Sequence, residues 1–135
     1  MEERRRNLRL AAVALGLGLS GAAAACVPPL EGTRLESARY VLVFKPEEVT
    51  VARHFRVEVA ACSKAGRAPE TLKVDATMPE HRHGMNYAPT VKKLGPGRWQ
   101  AEGLMLHMPG KWRMTIDLVQ GAKRTRLTHE VNLRP

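Results

Sequence analysis

From Lys111 to Val119 the chain alternates without a break. Trp112, Met114, Ile116 and Leu118 fall on one side, and Lys111, Arg113, Thr115 and Asp117 on the other. Successive side chains of a β-strand point to opposite faces, so this segment reads as a half-buried strand. The same period recurs upstream, where Phe55, Val57, Val59 and Ala61 share a face and Leu72, Val74 and Ala76 alternate with Lys73, Asp75 and Thr77. Tyr40–Phe44 is a short, wholly apolar run stopped by Lys45-Pro46, the pattern of a buried strand. Trp99–Leu104 opens after a Gly95-Pro96-Gly97 turn, and Lys123–Leu133 follows a turn at Gly121. No helical period survives beyond the first 25 residues. About seven short strands punctuated by Gly and Pro predict an all-β domain, an immunoglobulin-like antiparallel β-sandwich spanning residues 38–135. Residues 26–37, with Pro28, Pro29 and Gly32, read as an irregular lead-in.

The opening segment has a different character. Arg4, Arg5, Arg6 and Arg9 precede an apolar run from Leu10 to Leu19, and Ala22–Ala25 follow. A basic start, a short apolar centre and a small-residue end are the layout of a secretory signal. The run is too short to span a bilayer comfortably. The expectation is therefore a signal peptide at residues 1–25 and a protein exported to the periplasm or cell envelope.

Export exposes cysteines to oxidising conditions, and Cys26 and Cys62 make an even count. Ala23-Ala24-Ala25-Cys26 also resembles a loose lipobox, which would lipidate Cys26 and anchor the chain to a membrane. The two fates exclude each other. A Cys26–Cys62 disulfide is the favoured one, because lipidation would leave Cys62 an unpaired thiol in an oxidising compartment.

The chain carries 22 basic and 13 acidic residues. Removing the leader's four arginines and two glutamates leaves 18 and 11, a mature charge near +7. That charge could suit nucleic acid, but the basic residues are scattered along strand-like segments and aromatics are only 4% of the chain. A solvated basic surface is the reading, with no nucleic acid as partner.

Chemistry concentrates in two places. Met78-Pro79-Glu80-His81-Arg82-His83-Gly84-Met85 leaves the strand that starts at Leu72, and His107-Met108-Pro109-Gly110 connects the strands of Trp99 and Trp112. Imidazole binds several transition metals, whereas thioether sulfur is soft and suits copper, above all Cu(I). Four of the five methionines after Met1 (Met78, Met85, Met105 and Met108) lie in or near these loops. Loops at one end of a sandwich cluster in space, so the donors can converge. In extended backbone His81 and His83 would project to the same side. The candidate ligands are His81, His83 and Met85, closed by His107 or Met108, with Met78 divided between core and ligand. Met105 and Met114 have core parity, His54 a polar-face position, His129 the parity of Leu127 and Val131, and Trp99 and Trp112 read as core aromatics. A blue-copper centre needs a thiolate beside two histidines, and neither cysteine is near. Structural zinc normally uses cysteine. No nucleophile elbow, phosphate-cradling glycine loop or HExxH helix is present, so an enzyme is not expected.

The segment from Leu72 to Leu118 resembles the YtkA-like domain family. The residues that carry the resemblance are Val74-Asp75-Ala76-Thr77-Met78-Pro79 running into His83-Gly84-Met85, then Gly97-Arg98-Trp99-Gln100-Ala101, then His107-Met108-Pro109-Gly110-Lys111-Trp112. That family comprises small exported bacterial β-sandwich domains, often grouped with copper-handling proteins of the envelope. The resemblance implies a non-catalytic domain that binds one copper ion or passes it to a protein acceptor. The rival reading is a metal-free structural or protein-interaction module of the envelope, in which the same loops form a recognition edge.

Overall fold

The structure is a computed structural model that describes residues 25–135. Apart from Ala25, the leader read at 1–25 lies outside the described residues. Nine strands follow in order: β1 (Thr33–Glu36), β2 (Tyr40–Pro46), β3 (His54–Ser63), β4 (Thr71–Met78), β5 (His83–Gly84), β6 (Thr90–Gly95), β7 (Arg98–Met105), β8 (Gly110–Gln120) and β9 (Lys123–Leu133). They form two antiparallel sheets, ordered β1-β2-β3-β7-β6 and β5-β4-β8-β9. Within these sheets the runs β3-β7-β6 and β4-β8-β9 follow the B-E-D and C-F-G strand orders of an immunoglobulin-type sandwich.

The alternation read from the sequence is the inward face. Phe55, Val57, Val59, Trp99, Ala101 and Leu104 of one sheet pack on Leu72, Val74, Ala76, Trp112, Met114, Ile116 and Leu118 of the other. Tyr40, Leu42 and Phe44 join this core, while their neighbours Val41 and Val43 are also buried, on the opposite face. That explains why β2 reads as a continuous apolar run. Cys62 stands opposite Val41 in the ladder, and its disulfide to Cys26, with Cα atoms 5.7 Å apart, ties the leading segment to the sheet.

Three elements depart from the sequence reading. The lead-in at 26–37 is not wholly irregular: Thr33–Glu36 pairs with Val41–Phe44 as β1. β6 pairs with β7 across the Gly95–Gly97 turn, although its Lys92, Lys93 and Leu94 are all exposed. The third is β5, two residues long, which folds back on the end of β4.

Candidate metal centre

The site sits where β4 ends and β8 begins. Thr77 pairs with Arg113 in the antiparallel β4–β8 ladder, so the loop leaving β4 and the loop entering β8 must lie at the same end of the sandwich. The first loop is a tight hairpin. Met78 pairs with His83, the His81 N–H donates to the Met78 carbonyl at 3.1 Å, and Arg82 takes φ 53° at the tip. A left-handed residue before the returning strand is a usual closure for a loop of this length. His81 therefore lies in the turn and not in extended backbone, which corrects the alternation expected for His81 and His83.

Direct cross-strand partners share a face and bring their Cβ atoms to roughly 4.5–5.5 Å. His83 accordingly stands on the inner face beside Met78, which is 1% exposed. Gly84 comes close to the Ala76 carbonyl oxygen, and the Met85 N–H donates to that same oxygen at 3.1 Å. Met85 is half-buried against the core and lines a groove of about 510 Å³ with Leu72, Val74, Tyr87 and Val91.

The second loop is pinned by Trp112, whose indole N–H donates to the Met108 carbonyl at 2.9 Å. Leu106 inserts fully into the core, which leaves His107 and Met108 half-buried at its edge. Gly110, at φ 125°, adopts a conformation open to glycine, and a Cβ there would come within 2.8 Å of the Met78 methyl. The β7–β8 turn thus closes directly over Met78.

Three imidazoles come together in a row. The ring centroids of His81 and His83 are 5.8 Å apart, and those of His83 and His107 are 5.2 Å apart. Trp112 meets His83 edge-on at 5.9 Å and His107 edge-on at 5.4 Å. A ligated imidazole's centroid lies about 3 Å from the ion, given metal–nitrogen bonds near 2 Å, so two rings on one ion sit roughly 4–6 Å apart. Both neighbouring pairs meet that spacing. Among the described residues no three His, Cys, Asp or Glu side chains form a preformed metal-ligating group. The nearest pair in the row is His83 and His107, with Met78 opposite His83 in the ladder.

One feature of the donors bears directly on a metal. The Nδ1 atoms of His83 and His107 are both buried and neither has a hydrogen-bond partner. A buried polar atom left unpaired costs about 1–3 kcal/mol. Two in adjacent rings is a concentration that calls for a ligand or another physical cause. The residues present fit a soft or borderline cation: neutral imidazole nitrogen can ligate, Met78 stands opposite His83 in the ladder and Met108 follows His107 in its loop, whereas Met85 lines the separate groove.

The other sequence candidates lie elsewhere. His54 is exposed and packs edge-on against Tyr87 at 5.1 Å, while His129 on β9 packs against Phe44 at 5.0 Å. Trp112 was the residue that sequence reasoning under-read. Its core parity is correct, but it also forms the wall shared by both imidazoles, and only its place four residues after Met108 hinted at this.

No protein-family model and no curated protein matches the chain. The resemblance to YtkA-like domains therefore rests on the motif residues alone. Among solved structures, a DUF4785 family protein of Legionella pneumophila is similar in fold, with a TM-score of 0.50 and 8% identity over 71% of this chain. This chain spans 28% of that protein's length. At such low identity the likeness concerns the fold.

Proposed function

We propose that this is an exported, YtkA-like copper-binding domain, a periplasmic carrier or chaperone, with its ion held between His83 and His107 and thioether donors beside them. The observation that carries the reading is the pair of buried, unpartnered Nδ1 atoms in rings 5.2 Å apart. Met78, directly opposite His83, supplies the adjacent soft donor, with Met108 and Met85 at the margin. Mixed imidazole and thioether ligation serves both copper oxidation states, which suits a protein that accepts and gives up the ion. When bound, copper would supply no catalysis here; the chain's own work is to hold it and to shield it from water with the Trp112 indole against both rings. The Cys26–Cys62 disulfide is compatible with an oxidising compartment and supports export.

The test is titration of the metal-free protein with Cu(I) under a competing chelator, compared with His83→Ala and His107→Ala. Each substitution should weaken binding by at least about tenfold, since losing even a partner that only orients a ligand costs about that much. Stoichiometric binding that both variants retain in full would refute the site. No binding by the wild type would leave the interaction-module reading in its place.

A further inference from the structure

The three imidazoles differ in depth as well as in order. His81 is exposed at the hairpin tip, His83 and His107 are half-buried, and the middle ring is neighbour to both others. Only the inner two have a buried, unpartnered nitrogen. The inner pair is also framed by Trp112, which is 0% exposed and touches both rings. His81 has no such wall. Its loop is held by one backbone hydrogen bond from its own N–H to Met78 and by the left-handed Arg82.

From this arrangement we infer that copper exchanges through His81, which is a transfer ligand and not a resident one. The inference rests on the copper reading above and adds a direction of travel to it. An arriving ion meets His81 and His83 first, the outer pair. It then moves inward by breaking its bond to the His81 nitrogen and forming one to the His107 nitrogen. The bond to His83 is kept throughout, so the ion is never released and its oxidation state does not change. The reverse sequence presents the ion on an exposed ring, where an acceptor's ligand can reach it. His83 is the pivot because it alone lies within ligand-sharing distance of both neighbours.

A resident ligand and a transfer ligand are separated by comparing equilibrium with rate. Wild type, His81→Ala, His81→Met and His107→Ala are loaded with one Cu(I). Affinity is measured by chelator competition, and copper removal by bathocuproine disulfonate is followed by stopped flow. His81→Ala should keep its affinity within about threefold of wild type yet load and release copper about tenfold more slowly. His81→Met, which restores a soft donor at the tip, should recover most of the rate. His107→Ala should instead lose affinity and release copper faster. His81 is exposed, and unchanged melting of both His81 variants confirms the fold. A His81→Ala variant that loses affinity as His107→Ala does would make His81 a resident ligand and overturn the inference, leaving the copper reading intact. Unchanged rates in His81→Ala, or slow exchange in both His81 variants, would overturn it too. Failure of the wild type to bind copper at all would remove the reading beneath it.

Discussion

The indole N–H of Trp112 donates to the backbone carbonyl of Met108 at 2.9 Å, so a residue of β8 fixes the loop that presents His107. The same indole forms the wall against which His83 and His107 rest. Its two roles can be separated. Trp112→Phe keeps an apolar ring in the core but removes the donor, so it should cost about 1–3 kcal/mol of stability from the unpaired carbonyl and the lost volume. If the hydrogen bond also positions His107, copper affinity should fall more in Trp112→Phe than in a core control of equal destabilisation, Ile116→Val or Leu118→Ala. Denaturant unfolding and chelator competition on the same preparations give both numbers. Equal affinity in Trp112→Phe and its control would reduce Trp112 to a packing residue.

The sandwich was legible because burial is one-sided in β3, β4, β7 and β8, and period two survives wherever one face is dry. β1 and β6 escaped because edge strands bury little. Thr33–Glu36 and Thr90–Gly95 are dominated by polar or exposed residues, and it is backbone pairing with β2 and β7 that makes them strands. The meeting of the two His/Met loops followed from the fold class, since both lie at one end of adjacent antiparallel strands. Which donors face each other did not. That depends on Met78 pairing with His83 and on Arg82 turning left-handed, and a tight turn breaks the alternation that spacing alone implies. Trp112's place against both imidazoles is a long-range packing result, invisible to any local pattern.

The disulfide closes a sequence separation of 36 residues. By restricting the unfolded chain, such a loop should contribute about 3–4 kcal/mol. Reduction, or Cys62→Ala, should lower the melting temperature by about 10 °C or more in a domain of this size. It should also release Cys26 and the segment before β1 from the sheet, raising amide exchange there before the core opens. A reduced protein that melts with the oxidised one would show that the bridge adds nothing.

Gly97 and Gly66 both have positive φ, 67° and 88°, but their surroundings differ. A Cβ on Gly97 would collide with the Ala61 carbonyl oxygen, and the Gly97 carbonyl accepts the Ala61 N–H at 2.8 Å. A Cβ on Gly66 meets nothing within 4 Å. Gly66→Ala should therefore cost only the left-handed strain, about 1–2 kcal/mol. Gly97→Ala should cost distinctly more, because the β6–β7 hairpin must also shift off β3. Similar losses in urea unfolding would mean that the hairpin yields easily.

Asp117 is the one charged side chain buried among the described residues, at 5% exposure on the outer face of its sheet. Arg126 holds both of its oxygens, Nε to Oδ1 at 2.7 Å and the guanidinium to Oδ2 at 2.8 Å. That fork, with lesser help from the charges of Arg124 and Lys73, holds the Asp117 carboxyl below the usual aspartate range against the opposing effect of burial. A carboxylate whose folded pKa is depressed binds fewer protons folded than unfolded. Its stabilisation is then present above the unfolded pKa and is lost as pH falls through the folded one. Unfolding free energy should decline below about pH 4, the ordinary aspartate range. Asp117→Asn should be less stable at neutral pH and show a shallower acid decline, measured by urea unfolding between pH 7 and pH 3. An unchanged slope would place the acid sensitivity on the exposed carboxylates.

The proposed copper site makes its own demand on additivity. If His83 and His107 hold one ion, removing either already dismantles most of the pair, so the second removal has less left to lose. The double variant should fall short of the sum of the single losses by about 0.5–3 kcal/mol, the range seen for residues that share a partner. His54→Ala and His129→Ala are the proper controls, since one packs on Tyr87 and the other on Phe44, away from the row of imidazoles. Each should leave copper affinity unchanged, and each should combine additively with His83→Ala. The two Nδ1 atoms add a second check, read from stability with and without copper. Burying them unpartnered burdens the metal-free protein, so His107→Ala should destabilise it less than truncation of a half-buried side chain normally does, and copper should raise the melting temperature of the wild type but not of the variant. Strictly additive losses of affinity would mean two independent weak sites, one per loop, and the shared centre between β4 and β8 would have to be abandoned.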